Sequence, residues 1–204
     1  MFLWSVSIGN NGGLSATFAA GDPAQFAYQL FKLAGLTAFF LVSLQIATGP
    51  FNHLWKELYG PNFNRYHQYQ GLVAFCFAWL HPLLLLFYWL YSKTNPLTFA
   101  SGFTFHYYFG PAALLLLTVT VATAALTHLL RQTRFRGSWR VIHYLNYLVF
   151  LLVFFHSLNV GSDLEVSSPL RPIWWGFFLV WLLGLGYQRG YVSWKRRQVS
   201  VVRS

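Results

Sequence analysis

Long stretches of this chain carry no charge, and they are of similar length. No Asp, Glu, Lys or Arg occurs between Arg65 and Lys93, from Thr94 to Leu130, from Val141 to Ser162 or from Pro172 to Gln188. Each interval has room for a helix of about 20 residues, the length that crosses the hydrocarbon core of a bilayer. With one more apolar stretch ahead of Gly49, the pattern predicts spans near 25–48, 66–91, 108–130, 139–160 and 172–188. The expected fold class is all-α, a polytopic membrane helical bundle of about five transmembrane helices.

Composition agrees with this and excludes a soluble domain. Hydrophobic classes make up 56% of the 204 residues and charged ones 9%, against roughly 25% charged in an ordinary soluble domain. Ahead of the first span, Met1–Gly21 holds a short apolar run, FLWSVSIG, followed by NNGG. It has neither the basic n-region of a signal peptide nor the length to span, so a disordered or surface-lying arm is expected rather than a cleaved leader. The single cysteine, Cys76, rules out an intrachain disulfide or a multi-cysteine metal or iron–sulfur site, and is expected to be a small core residue.

The net charge of +10 would suit nucleic acid if it were spread over a surface, but it is segregated by segment. Lys56 and Arg65 precede the second span; Arg131, Arg134, Arg136 and Arg140 separate the third from the fourth; Arg189, Lys195, Arg196, Arg197 and Arg203 follow the fifth. With five spans these segments share one side, which the positive-inside rule makes cytoplasmic. Lys93, Arg171, Asp22, Asp163 and Glu165 fall on the other. The expected protein is therefore multi-pass in the cell (inner or plasma) membrane, N-terminus outside and C-terminus cytoplasmic. Membrane lipids are its partners, with no nucleic acid; the basic clusters serve topology and anionic-lipid contact, or dock an acidic cytoplasmic protein.

Four of the seven histidines form two pairs of nearly equal spacing: His67 and His81 lie 14 apart in the second span, His143 and His156 lie 13 apart in the fourth. At 1.5 Å per residue these separations are about 21 and 20 Å. The two spans run in the same direction, so His67 is expected at the depth of His143 and His81 at that of His156. Two facing imidazoles at each of two depths suit two stacked haems between the second and fourth helices, since imidazole is a good axial ligand and bundle interiors hold such cofactors. A lone intramembrane histidine is more often an interhelical hydrogen-bonding residue, and the set of four carries the reading. Fourteen residues return to nearly the same helix face, but thirteen miss it by about 140°. The fourth helix is thus expected either to be distorted, by a π-bulge for instance, or to present its histidines on different flanks. Pro82 marks a bend in the second.

Weaker signals surround the set. Gly71, one turn after His67, would let a porphyrin approach the backbone or two helices pack closely. Arg65 and Arg140 lie at the inner mouth, where they would pair with haem propionates or anchor helix ends. His53, His106 and His128 are expected to be interfacial. No Asp or Glu falls inside a predicted span, so a proton path of buried carboxylates lacks its usual parts.

The segments RYHQYQGLVAFCFAWLH (65–81) and WRVIHYLNYLVFLLVFFH (139–156) resemble the ferric-reductase-like transmembrane domain, the family that includes NADPH oxidases and ferric-chelate reductases. With the first and third spans the resemblance covers roughly residues 26–160. It implies two haem b, an inner one on His67 and His143 and an outer one on His81 and His156. The units are then an N-terminal arm (1–23), a transmembrane haem-binding domain (24–190) and a basic cytoplasmic tail (191–204). Two departures stand out: the chain stops soon after its last span with no FAD- and NADPH-binding module, and a helix ahead of residue 25 is missing or reduced. The haem-binding subunit of the periplasmic methionine sulfoxide reductase system is similar in being short and lacking that module. The position matching His67 is often not histidine there, so His67 favours two haems.

The expected function is transmembrane electron transfer by the membrane subunit of an oxidoreductase, without its own nucleotide-binding module. Electrons would come from a separate cytoplasmic flavin or NAD(P)H reductase and go to an external acceptor. No GxGxxG turn is present to bind a nucleotide. The alternatives are a zinc or copper membrane enzyme, which would bind metal without porphyrin, and a transporter or assembly protein with structural histidines, which would bind neither.

Overall fold

The first long helix opens at Asp22, whose carboxylate accepts a hydrogen bond from the Ala24 amide at 2.9 Å. Pro23 occupies the first helical position, where the N–H it lacks would have had no partner. The computed structural model describes residues 2–10, 21–93, 105–126, 138–187, 190 and 194, the side chains of 10 and 138–140 excepted. Its helices are α1 (Phe2–Asn10), α2 (Pro23–Thr48), α3 (Asn52–Tyr59), α4 (Phe63–Ser92), α5 (Phe109–Ala125), α6 (Ser138–Val160) and α7 (Leu170–Gly186). Short 3-10 turns cover Phe105–Tyr108 and Ser162–Leu164, and no strand occurs among the described residues.

Four of these segments are long and apolar enough to cross a membrane: α2, α4, Phe105–Ala125 and Val141–Val160. The fifth expected span coincides with α7, which has 17 residues and so rises about 26 Å, against a hydrocarbon core of about 30 Å. α4 runs unbroken through Pro82. α6 is α-helical throughout with no π-turn. The thirteen-residue spacing is therefore met by presenting His143 and His156 on different flanks.

Two hairpins organise the bundle. α2 packs along α4, and α5 packs along α6, while α2 also touches α1, α6 and α7. α2 is accordingly the helix with the most buried face, and its Leu36, Phe39 and Ile46 form the main core with Phe150, Phe154 and Trp174. Trp174 lies flat on Phe39, ring centroids 4.5 Å apart. Its indole N–H donates to Ser157 Oγ at 2.9 Å, which satisfies the polar end of a fully buried ring.

α4, by contrast, exposes Leu72, Val73, Leu83, Phe87 and Leu90. Such an apolar outer face marks a membrane or protein contact, and on a helix long enough to span it suits lipid. Cys76 is exposed as well, which corrects the expectation of a core residue. Of the two states expected for the N-terminal arm, residues 2–10 are not disordered: α1 docks on α2, with Leu3 and Val6 against the main core and Ser7 fully buried.

Candidate cofactor site

The four histidines divide between the hairpins, His67 and His81 on α4 and His143 and His156 on α6. Among the described residues α4 and α6 scarcely touch, because each packs on its own hairpin partner. By pairs the imidazoles are nevertheless near one another: His67 and His143 are within electrostatic reach, and so are His81 and His156.

Hydrogen bonds behind the rings settle which nitrogen is free at His81 and His156 and favour one at His67. His81 Nδ1 lies 2.9 Å from the Phe31 carbonyl and His156 Nδ1 lies 3.1 Å from the His106 carbonyl. A carbonyl only accepts, so both nitrogens carry the proton and both Nε2 atoms keep their lone pair. His67 Nδ1 is 3.2 Å from Thr48 Oγ1, and the Leu44 carbonyl at 2.8 Å offers the Thr48 proton an acceptor of its own. With the proton placed there the hydroxyl oxygen accepts from Nδ1–H, which favours the same tautomer for His67. His143 Nδ1 meets the Asn146 carboxamide at 3.2 Å.

Glycines admit the outer rings. A Cβ built on Gly35 of α2 would lie 2.7 Å from His81 Nδ1, and one on Gly110 of α5 would lie 2.9 Å from His156 Cε1. Real Cβ atoms do not approach that closely, so only glycine lets these rings lie against the neighbouring backbone. Phe31 completes the seat of His81, stacked at 4.2 Å and 15°.

The remaining sequence candidates disperse. Gly71 faces the Gln45 carboxamide across the α2–α4 seam, 3.4 Å from where a Cβ would be. Arg65 is exposed at the start of α4. The side chain of Arg140, the residues Arg131, Arg134 and Arg136, His128, Arg189 and the basic tail from Lys195 lie outside the described residues. His53 is exposed near Tyr187. His106 backs His156 through its carbonyl, and its own Nδ1 is buried without a hydrogen-bond partner among the described residues.

Among the described residues no three or more His, Cys, Asp or Glu converge as they would around a zinc or copper ion held by protein ligands. Axial ligation of a haem needs only an imidazole pair, each ring held by a hydrogen bond at its other nitrogen. Paired rings, Nδ1 held from behind and glycine seats fit that group. A family model described as "ferric reductase like transmembrane component" matches residues 34–154, more than half of the chain. The chain belongs to this ferric-reductase-like family. The matched segment takes in His67, His81 and His143 with Gly35, Thr48 and Gly110, and it ends two residues before His156. Membership in a transmembrane family, with four apolar helices of sufficient length, makes this a multi-pass membrane protein. Searches of curated proteins and of solved structures return no match.

One ion pair in this family member escaped the sequence reading. Lys32, inside α2, meets Asp163 in the turn after α6 at 3.0 Å, their side chains 9% and 5% exposed. Ser7 of α1 donates to the other carboxylate oxygen at 2.7 Å. The Asp163 carbonyl accepts from Ser168 Oγ at 2.6 Å, so the group ties α1, α2 and the loop before α7 together.

Proposed function

We propose that this chain is a two-haem b-type membrane cytochrome that carries electrons from a cytoplasmic reductant to an acceptor on the outer side. His67 and His143 would hold the inner haem and His81 and His156 the outer one. The observation that carries the reading is two imidazole pairs within electrostatic reach, with Nδ1 engaged behind the rings and glycine seats at the outer pair. Bound haem supplies one-electron chemistry that no side chain here provides. The protein's part is to fix depth and orientation. Thr48, the Phe31 carbonyl and the His106 carbonyl hold their rings by Nδ1, and Gly35 and Gly110 let α2 and α5 close behind the outer pair. Family membership supports transmembrane electron transfer as the activity class.

The same proposal takes α7 as a fifth span and puts the N-terminus outside and the C-terminus in the cytoplasm. It divides the chain into an arm (1–23), a haem-binding domain (24–190) and a basic tail (191–204) facing a separate flavin or NAD(P)H reductase. The test is a pyridine haemochrome assay on purified protein against total protein. Two haems b per chain are expected. Metal without porphyrin would sink the reading in favour of a metalloenzyme, and neither would favour a structural role for the histidines.

A further inference from the structure

The two histidine pairs are held by different chemistry. Behind the outer pair stand backbone carbonyls, Phe31 for His81 and His106 for His156, which no substitution removes. Behind the inner pair stand side chains, Thr48 for His67 and Asn146 for His143.

Asn146 is the more informative of the two. Its carboxamide lies between His143 Nδ1 at 3.2 Å and Thr120 Oγ1 at 2.8 Å. In one orientation the Thr120 hydroxyl donates to the amide oxygen and the amide N–H donates to His143 Nδ1. The ring then carries its proton on Nε2, which blocks that nitrogen as a ligand. A half-turn of the carboxamide reverses both bonds. Thr120 has another acceptor for its single proton, the Leu117 carbonyl at 2.9 Å, a bond that threonines in helices commonly make. Its oxygen can then accept from the amide N–H, and the amide oxygen accepts the Nδ1–H of His143. Every group keeps a partner in either orientation, and only the second presents Nε2 unprotonated.

Building on the two-haem reading, we propose that Asn146, backed by Thr120, and Thr48 are the positioning residues of the inner pair. They fix the tautomer of His143 and His67 with side chains, so the inner centre is tunable independently of the outer one. Loss of such a partner lowers metal affinity by about 10- to 100-fold in other sites, and a stronger acceptor makes the ligand more basic.

The test uses the full chain with its haem. Haem content, a potentiometric titration and the low-spin electron paramagnetic resonance signals are compared for the native protein, Asn146→Asp, Asn146→Leu, Thr120→Val and Thr48→Val. Asn146→Asp should keep two haems and move one midpoint potential to more negative values, the other staying in place. Asn146→Leu and Thr48→Val should each lose haem from one site with an affinity drop of about 10- to 100-fold. Thr120→Val should shift the same signal as Asn146→Leu, less far. Unchanged potentials and full haem content in both Asn146 variants would overturn the proposal, and so would shifts that move both haems equally. Should Asn146→Leu fail to fold, the isosteric Asn146→Asp decides. A native protein without haem would instead defeat the two-haem function itself.

Discussion

A histidine that ligates through Nε2 needs its proton fixed on Nδ1, and the residues that do this are the ones a sequence hides best. The four histidines were legible because intramembrane imidazoles are costly and these recur at matched intervals. Their supports lie on other helices, so finding them requires the register of α4 on α2 and of α6 on α5. A signal was nevertheless present. Phe31, Gly35, Thr48 and His81 recur as His106, Gly110, Thr123 and His156 at one constant offset. Each hairpin thus seats its outer histidine with a carbonyl on one helical turn and a glycine on the next. Gly71 shows the converse, a glycine conspicuous beside His67 that faces Gln45. The pairing gives a prediction at this scale. The double variant His81→Ala/His143→Ala strikes both pairs and should retain no haem, whereas His67→Ala/His143→Ala strikes one and should retain one haem per chain. Equal haem content in the two would refute the pairing. Gly110→Ala should behave like His156→Ala, because its methyl would fall 2.9 Å from the ring, while Gly176→Ala, with nothing within 4 Å, should keep both haems.

At the scale of elements, charge patterning located the spans but missed what locks them together. Lys32 is a charge inside the first span that charge patterning left out of account, and Asp163 was assigned to the outer side with nothing to link the two. Their contact is made in three dimensions only, by α2 and the turn after α6, with α1 joining through Ser7. The same contact explains why residues 2–10 form a docked helix: Ser7 gains a buried acceptor while Leu3 and Val6 gain apolar cover. Removing one partner of a buried pair leaves an uncompensated charge, at a cost of about 3–5 kcal/mol, whereas removing both is often close to neutral. Lys32→Met and Asp163→Asn should therefore each lower the melting temperature in detergent markedly. The double variant should lie well above the sum of the two losses, as coupled neighbours do. Strict additivity would mean that the two side chains do not stabilise each other.

For the whole molecule the undecided helix is α7, and charge rather than length decides its expected state. Its 17 residues rise about 26 Å, a few ångströms short of a typical ~30 Å core. A bilayer accommodates such a mismatch by thinning locally, at a fraction of a kcal/mol per ångström. If α7 lay along the membrane instead, the segment from Arg131 to Arg140 and the tail from Lys195 to Arg203 would end on opposite sides. That would set one cluster of four or more basic residues against the positive-inside bias, whereas a spanning α7 puts both in the cytoplasm. Arg171, at the first turn of α7, donates to the Leu164 carbonyl at 3.1 Å, which suits a helix end anchored at the outer interface. Reporters inserted after Gln132 and fused after Ser204, one active only in the cytoplasm and one only outside it, should give the same cytoplasmic readout at both sites. A reporter between Gly161 and Arg171 should give the opposite. If the Ser204 fusion read as external while the Gln132 insertion read as cytoplasmic, α7 would not cross, and the basic tail could not face a cytoplasmic reductase.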